Sequence, residues 1–136
     1  MNAAQTDLIQ YRMERAKSTL RDAELLRGQG GSLWSVANRA YYAMFYAALA
    51  MLLTQGKGAS KHSGVLSLFD LLFVKTGRFP KEFSRLFHRA FELRQMGDYR
   101  DLLELDEQQV DELLAGARRF VAAVESTLRD YLERDL

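Results

Sequence analysis

The stretch that decides the fold is Ser32–Leu53, SLWSVANRAYYAMFYAALAMLL. From Ala40 to Leu53 it runs fourteen residues without a charge. Ala, Met and Leu dominate the run, and all three favour helix. A helix apolar on nearly every side belongs in the middle of a bundle. At about 1.5 Å per residue the run spans roughly 21 Å. A membrane-spanning helix needs about 20 consecutive apolar residues. The stretch therefore reads as the buried central helix of an all-α, soluble protein with no membrane partner. Arg39 stands at the head of the run, followed by Tyr41, Tyr42 and Tyr46. Arg39, Tyr42 and Tyr46 fall at i, i+3 and i+7, on one helical face. Either Arg39 snorkels and the hydroxyls sit at the edge of the core, or these residues form a polar seam lining a groove.

On the N-terminal side, Asn2 to Arg27 reads as an amphipathic outer helix. Its apolar positions Ile9, Met13, Ala16, Leu20 and Ala23 recur every three or four residues, the helical period. Gly28-Gln29-Gly30-Gly31 ends it, because glycine tolerates the left-handed turn of a helix end. Ser32 is a good N-cap for the central helix, and the short connection predicts antiparallel packing of the two. On the C-terminal side, Gln55–Ala59 (QGKGA) breaks the central helix. Ser60 is positioned to cap a third helix reaching about Thr76, with Val65, Leu68, Phe69, Leu72 and Phe73 as its stripe. Lys61 and His62 lie in its first turn, at the positive end of the helix dipole, where cations are slightly unfavourable unless an anion or carboxylate binds nearby; the plainer reading of His62 is an ordinary surface or hydrogen-bonding histidine. Gly77 closes this helix, and Pro80 fits the first turn of a fourth, packed through Phe83, Leu86, Phe87, Ala90 and Leu93. Gly97 is expected to end it. Asp106 and Gln109 have the spacing of a capping box for a last helix, about Glu107–Glu133. That helix carries Val110, Leu113, Leu114, Ala117, Val121, Val124, Leu128 and Tyr131 on one side. The sum is an up-down bundle of about five helices.

Length and composition agree. The 136 residues fit one domain, residues 1–136, with a core large enough to need no staples. There is no cysteine, so disulfides, thiolate metal sites and cysteine nucleophiles are excluded. That usage fits a cytoplasmic setting, and no targeting segment is visible at the N-terminus. Nineteen Lys and Arg against eighteen Asp and Glu leave no global charge that calls for nucleic acid or membrane. Locally, Arg78 to Arg100 holds six Lys and Arg against three Asp and Glu. Arg78, Lys81, Arg85 and Arg89 form either a functional ridge or a solvated one.

Much chemistry is missing. His62 and His88 are the only imidazoles and lack a metal-ligand spacing, so neither a metal nor a cofactor is expected. GQGG and GKGAS lack the Gly-Lys-Ser/Thr ending of a phosphate-binding loop. What remains is Arg94-Gln95-Met96-Gly97-Asp98-Tyr99. One reading is a C-terminal cap, with Arg94 neutralising carbonyls or pairing with Asp98. The other makes Arg94 an anion binder, since guanidinium matches phosphate bidentately, with Tyr99 able to stack a base.

The series NRAYYAMFYAALAML (38–52), KHSGVLSLF (61–69) and FSRLFHRAFELRQMGDY (83–99), followed by a long amphipathic helix, resembles the HEPN domain family, in particular its small stand-alone bacterial and archaeal proteins. The resemblance spans about Ala3 to Leu132. Its most specific parts are Arg39-Ala40-Tyr41-Tyr42-Ala43, Lys61-His62, and Arg94 with Gly97-Asp98-Tyr99. It implies an all-α up-down bundle and a homodimer. It also implies kinship with metal-independent endoribonucleases that act as toxins paired with a small nucleotidyltransferase antitoxin. Their motif is an Arg, a polar residue directly after it, and a His beyond four to six intervening residues, shared across the dimer cleft. Here Arg94 is followed by Gln95, but after four intervening residues the ring is that of Tyr99, and no His follows Arg94. A phenol with a pKa of about 10 is a poor general base at neutral pH.

Three functions are compatible with this sequence. The first is a binding module for a nucleotide, RNA or a nucleotidyltransferase partner, in a toxin–antitoxin or defence pair. Its candidate ligand-binding residues are Arg39, Tyr42, Lys61, His62, Arg94, Asp98 and Tyr99. The second is a ribonuclease whose imidazole, His62 or His88, is imported by folding or from the dimer mate. The third is a purely structural assembly bundle.

Overall fold

The computed structural model describes residues 2–99 and 104–134. It holds five α-helices and no strand among the described residues: α1 (Ala3–Gly28), α2 (Leu33–Leu53), α3 (His62–Phe69), α4 (Lys81–Met96) and α5 (Glu107–Arg134). A π-helical turn, Asp70–Val74, continues α3, and a 3-10 turn, Gly97–Tyr99, continues α4. The all-α bundle expected from the hydrophobic periodicity is the fold.

α2 is the centre, and it packs against each of the other four helices. Ala37, Ala40, Ala43, Ala47, Ala48 and Ala50 are buried along it beside Tyr41, Met44, Phe45, Met51 and Leu52. Small side chains let neighbouring helices approach from several sides, as an all-round apolar helix requires. Ser32 caps α2 by accepting a hydrogen bond from the Ser35 N–H at 3.4 Å.

Long-range polar contacts set the helix directions. The Gln5 side-chain amide at the start of α1 donates to the Leu53 carbonyl at the end of α2, so α1 and α2 are antiparallel. Arg27 at the end of α1 pairs with Asp111 at the start of α5, Nε to Oδ1 at 2.7 Å. Lys17 pairs with Glu125 at 2.7 Å, so α5 runs antiparallel to α1 as well. The chain between α1 and α2 turns through Gly30, whose φ of 76° is left-handed and suits glycine. Asp106 and Gln109 form the expected capping box. The Gln109 N–H donates to the Asp106 carboxylate at 2.8 Å, and the Asp106 N–H donates to the Gln109 side-chain oxygen at 2.9 Å.

Three boundaries differ from the sequence expectation. Ser60 does not cap α3. Lys61 holds the N-cap position without a side-chain cap bond; its carbonyl accepts from the Val65 N–H at 3.2 Å, and the His62 ring ties the first turn to the Tyr41 hydroxyl of α2. α3 does not stay α-helical to Thr76: from Asp70 it widens, with the Lys75 N–H donating to the Asp70 carbonyl at 2.8 Å. That turn sets the Asp70 carboxylate against His88 of α4, at 2.6 Å. Pro80 is the N-cap of α4 and not part of its first turn; its missing N–H costs nothing at either position. Leu20, Leu68, Leu72, Leu86 and Tyr131, expected in the apolar stripes, are only partly buried, while Thr19, Leu66, Phe79 and Phe120 are buried. Arg100, counted in the local basic region, lies outside the described residues.

Candidate functional site

The site grows from the polar edge of α2. Asn38, Arg39, Tyr42 and Tyr46 lie on the side of this helix that the bundle covers least, and all four are half-buried. The Arg39 guanidinium donates to the Asn38 side-chain oxygen, at 2.8 Å from Nη2 and 3.2 Å from Nε. It also sits 5.2 Å from the centre of the Tyr42 ring. Tyr42 and Tyr46 rings are 5.9 Å apart. Arg15 of α1 covers Tyr46 at 4.7 Å. Cations over aromatic faces are attracted by the ring quadrupole, so the seam alternates guanidinium and ring.

α4 brings the second guanidinium. Arg94 donates from Nε to the Tyr42 hydroxyl at 3.1 Å. It lies 5.7 Å from the Tyr42 ring and 5.8 Å from the Tyr41 ring. Its partner is thus on α2, and among the described residues it forms no ion pair with Asp98. Gly97 does not adopt a left-handed terminator conformation; its φ is −56°. The chain winds on through the 3-10 turn, which carries Asp98 and Tyr99 to the same side. Tyr99 is 64% exposed.

Arg39 and Arg94 line one open groove of about 660 Å³, with Leu26, Trp34, Ser35, Asn38, Leu93, Gly97 and Asp98. A second hollow of about 460 Å³ is lined by Asn38, Tyr42, Arg94, Gln95, Asp98 and Tyr99. The two share Asn38, Arg94 and Asp98, so they adjoin at the α2–α4 junction and together line an open channel there. Neither Arg39 nor Arg94 has a carboxylate partner among the described residues. Two guanidiniums beside the rings of Trp34 and Tyr99 suit an anionic ligand with a planar part, a phosphate with its base.

Behind the groove the fold imports a histidine. His62 Nδ1 lies 2.8 Å from the Tyr41 hydroxyl. Its ring stacks on Phe45 at 4.2 Å and meets Tyr42 edge-on at 5.8 Å. Burial, and then the nearby Arg94 charge, hold the His62 pKa below the ordinary imidazole value, since both disfavour a second positive charge. Burial pushes the Tyr41 phenol well above its ordinary range, against the lowering pull of Arg94. A neutral imidazole and a neutral phenol thus share one hydrogen bond.

Of the residues singled out from sequence, Arg39, Tyr42, Arg94, Asp98 and Tyr99 come together in the channel. His62 joins through Tyr41 and Tyr42 from behind. Lys61 is exposed and lines neither hollow. His88 takes Asp70 as its partner and stands apart from the cluster. Trp34 and Asn38 were not singled out. Asn38 has a local signal, as the neighbour of Arg39, but Trp34 becomes a wall only because α4 ends beside it. No group of three or more His, Cys, Asp or Glu able to hold a metal lies among the described residues. No helix among them is long and apolar enough to cross a membrane.

Comparison with known proteins gives the family. The family model described as HEPN domain matches residues 9–127. A UPF0332 protein of Thermotoga maritima is 43% identical over 123 residues, covering 90% of this chain and 92% of that one. The UPF0332 protein glr0978 of Gloeobacter violaceus is 37% identical over 123 residues, covering 89% and 93%. A Methanocaldococcus jannaschii protein bearing the name "Putative toxin MJ0605" is 33% identical over 94 residues, 69% of each chain. The central helix, the all-α bundle and these matches agree: the chain belongs to the HEPN domain family.

Proposed function

We propose that this chain is a dimeric HEPN protein that binds a nucleotide or RNA in the channel between α2 and α4. We further propose that it acts in the cytoplasm as one half of a toxin–antitoxin or defence pair with a nucleotidyltransferase. The observation that carries the binding reading is the convergence of Arg39 and Arg94, distant in sequence, on one open groove. The name of the Methanocaldococcus jannaschii relative supports the toxin setting. Binding of a labelled single-stranded RNA oligonucleotide, or of a nucleoside triphosphate, tests the reading by fluorescence anisotropy. Arg94→Ala is expected to weaken binding about tenfold or more, as the loss of a charge-assisted phosphate contact does, with the oligomer intact. If wild type binds neither probe, the binding reading fails and the assembly reading gains. The partner reading predicts a stable complex when the chain is co-expressed with a nucleotidyltransferase encoded beside it; no such complex, or no such neighbour, counts against it.

A ribonuclease reading is favoured by one observation, the folding of His62 into the Tyr41–Tyr42–Arg94 cluster. A depressed pKa leaves this imidazole neutral near pH 7, in the form a general base needs. The reading predicts RNA cleavage in the presence of a chelator, products ending in a 2′,3′-cyclic phosphate, and loss of cleavage in His62→Ala. Cleavage that survives both His62→Ala and His88→Ala excludes imidazole chemistry, and no cleavage by wild type at high protein concentration sinks the reading.

A further inference from the structure

Arg39 and Arg94 are held in the same way. The Asn38 side-chain oxygen tethers Arg39, accepting from Nη2 at 2.8 Å and from Nε at 3.2 Å. The Tyr42 hydroxyl tethers Arg94, accepting from Nε at 3.1 Å. Both acceptors are neutral. Among the described residues neither guanidinium makes a further hydrogen bond. Nη1 of Arg39 and both terminal nitrogens of Arg94 therefore keep their donors for a ligand. Tyr42 serves both forks. Its hydroxyl takes Arg94, and its ring centre lies 5.2 Å from the Arg39 guanidinium and 5.7 Å from that of Arg94. Those distances keep the two guanidiniums within about 11 Å of each other.

The kind of tether matters to the chemistry. Elsewhere on this molecule Arg27 meets Asp111 and Arg119 meets Glu82, and those carboxylates offset the charge that an anion would meet. An amide or a phenol fixes the direction of the fork and leaves its charge uncancelled. A fork fixed before binding also loses less freedom when the ligand arrives. Among the described residues the Asn38 side chain makes no hydrogen bond except to Arg39, so the core does not explain it. A phosphodiester has two non-bridging oxygens, and one guanidinium fork satisfies both. Two forks beside one ring therefore suit two linked phosphate groups better than one.

We infer that Asn38 is a positioning residue that aims Arg39, as the Tyr42 hydroxyl aims Arg94, and that the ligand gripped by these two forks carries two linked phosphate groups. The inference rests on the binding reading above and deepens it by naming what the groove holds. Two linked phosphates occur in a nucleoside diphosphate and along a polynucleotide, and the experiment separates these sources.

Fluorescence anisotropy of a labelled single-stranded RNA oligonucleotide tests the inference on the full chain, with circular dichroism to verify folding. Arg39→Ala is expected to weaken binding about tenfold, and Asn38→Ala about fivefold. Because Asn38 acts through Arg39, the double variant Asn38→Ala/Arg39→Ala is expected to bind within about twofold of Arg39→Ala alone. Asn38→Asp keeps the shape and both hydrogen bonds but sets a carboxylate on the fork. It is expected to bind at least as weakly as Asn38→Ala. It should also lower the slope of log affinity against log salt by about 0.7, the share of one single-strand phosphate contact. Asn38→Ala should leave that slope unchanged, and a residue that only braced the helix would not move it in either variant. In competition, wild type is expected to prefer adenosine diphosphate over adenosine monophosphate about tenfold, and Arg39→Ala to cut that preference to within about threefold. A 5′-phosphorylated dinucleotide that binds tighter than the diphosphate assigns the polynucleotide chain as the source, and one that binds more weakly assigns the terminal diphosphate. Losses that multiply in the double variant overturn the positioning role, because Asn38 then touches the ligand itself. Equal affinity for the mono- and diphosphate overturns the two-phosphate ligand. Both outcomes leave the binding reading standing. A wild type that binds none of these probes overturns that reading and this inference with it.

Discussion

Two aromatic clusters lie side by side in this bundle. Phe69, Phe83 and Phe87 pack around Phe120 with ring centres 5.1, 5.1 and 5.4 Å away. Tyr41, Tyr42, Phe45 and His62 pack just as closely, with Tyr41 and Tyr42 at 5.1 Å and Phe45 and His62 at 4.2 Å. Tyr41 and Phe87 join the clusters at 6.0 Å. The packing is alike and the edges differ. The phenylalanine cluster ends in hydrocarbon, so its burial contributes stability without needing a polar partner. The tyrosine cluster ends in hydroxyls and an imidazole that need partners, and Arg94 and Arg39 meet that need at the rim of an open groove. The same aromatic area therefore serves as core in one place and as the floor of an open groove in the other.

Breaking the phenylalanine cluster carries the largest expected effect. Phe120→Ala should cost about 3–5 kcal/mol in denaturant unfolding, as buried Phe truncations do, while ligand affinity per folded molecule stays within error. A change in affinity as large as that of Arg94→Ala would join the two clusters into one functional unit. Arg94→Ala comes next, with the reverse profile: a loss of binding near tenfold and a stability change under about 1 kcal/mol, since a half-exposed hydrogen bond contributes little net. Tyr41→Phe follows. It removes the buried hydroxyl from His62 and should cost about 1 kcal/mol, leaving the phenylalanine cluster unaltered as seen in the aromatic near-ultraviolet signal.

The smallest effect is the pH dependence of the tyrosine cluster. The folded-state pKa of His62 lies below its ordinary value of 6.5. The unfolded chain therefore takes up the proton first as pH falls. The stability owed to this group is complete above pH 6.5, declines from there, and stops declining below the depressed folded-state value. His62→Gln should flatten that limb in unfolding midpoints measured across the range. An unchanged limb would place the effect elsewhere.

Part of this contrast is legible in the sequence. The central helix, its Ser32 cap, the Asp106–Gln109 capping box and the stripes of α1, α4 and α5 are local or periodic features, and covalent spacing alone sets which residues share a helical face. Arg39, Tyr42 and Tyr46 are readable as a seam for the same reason. The channel is not readable in that way. Arg94 has two local explanations, a cap or a pair with Asp98, and its hydrogen bond to Tyr42 spans fifty-two residues of chain. His62 next to Tyr41 depends on how the loop after α2 returns along that helix. The π-turn at Asp70–Val74 arises where α3 must meet α4, and periodicity carries no sign of it.

By itself the sequence determined the all-α architecture, the identity of the buried central helix and most of its packing stripes, because those follow from the 3.6-residue period and from the chemistry of helix ends. Only the tertiary structure decided that Arg39 and Arg94 face one groove, that Trp34 and Asn38 wall it, and that His62 stands behind it while Lys61 and His88 do not line it. The physical reason is that a helix has one rotation and one height once its apolar face is buried. Polar residues on different helices meet only when those rotations and heights are set together.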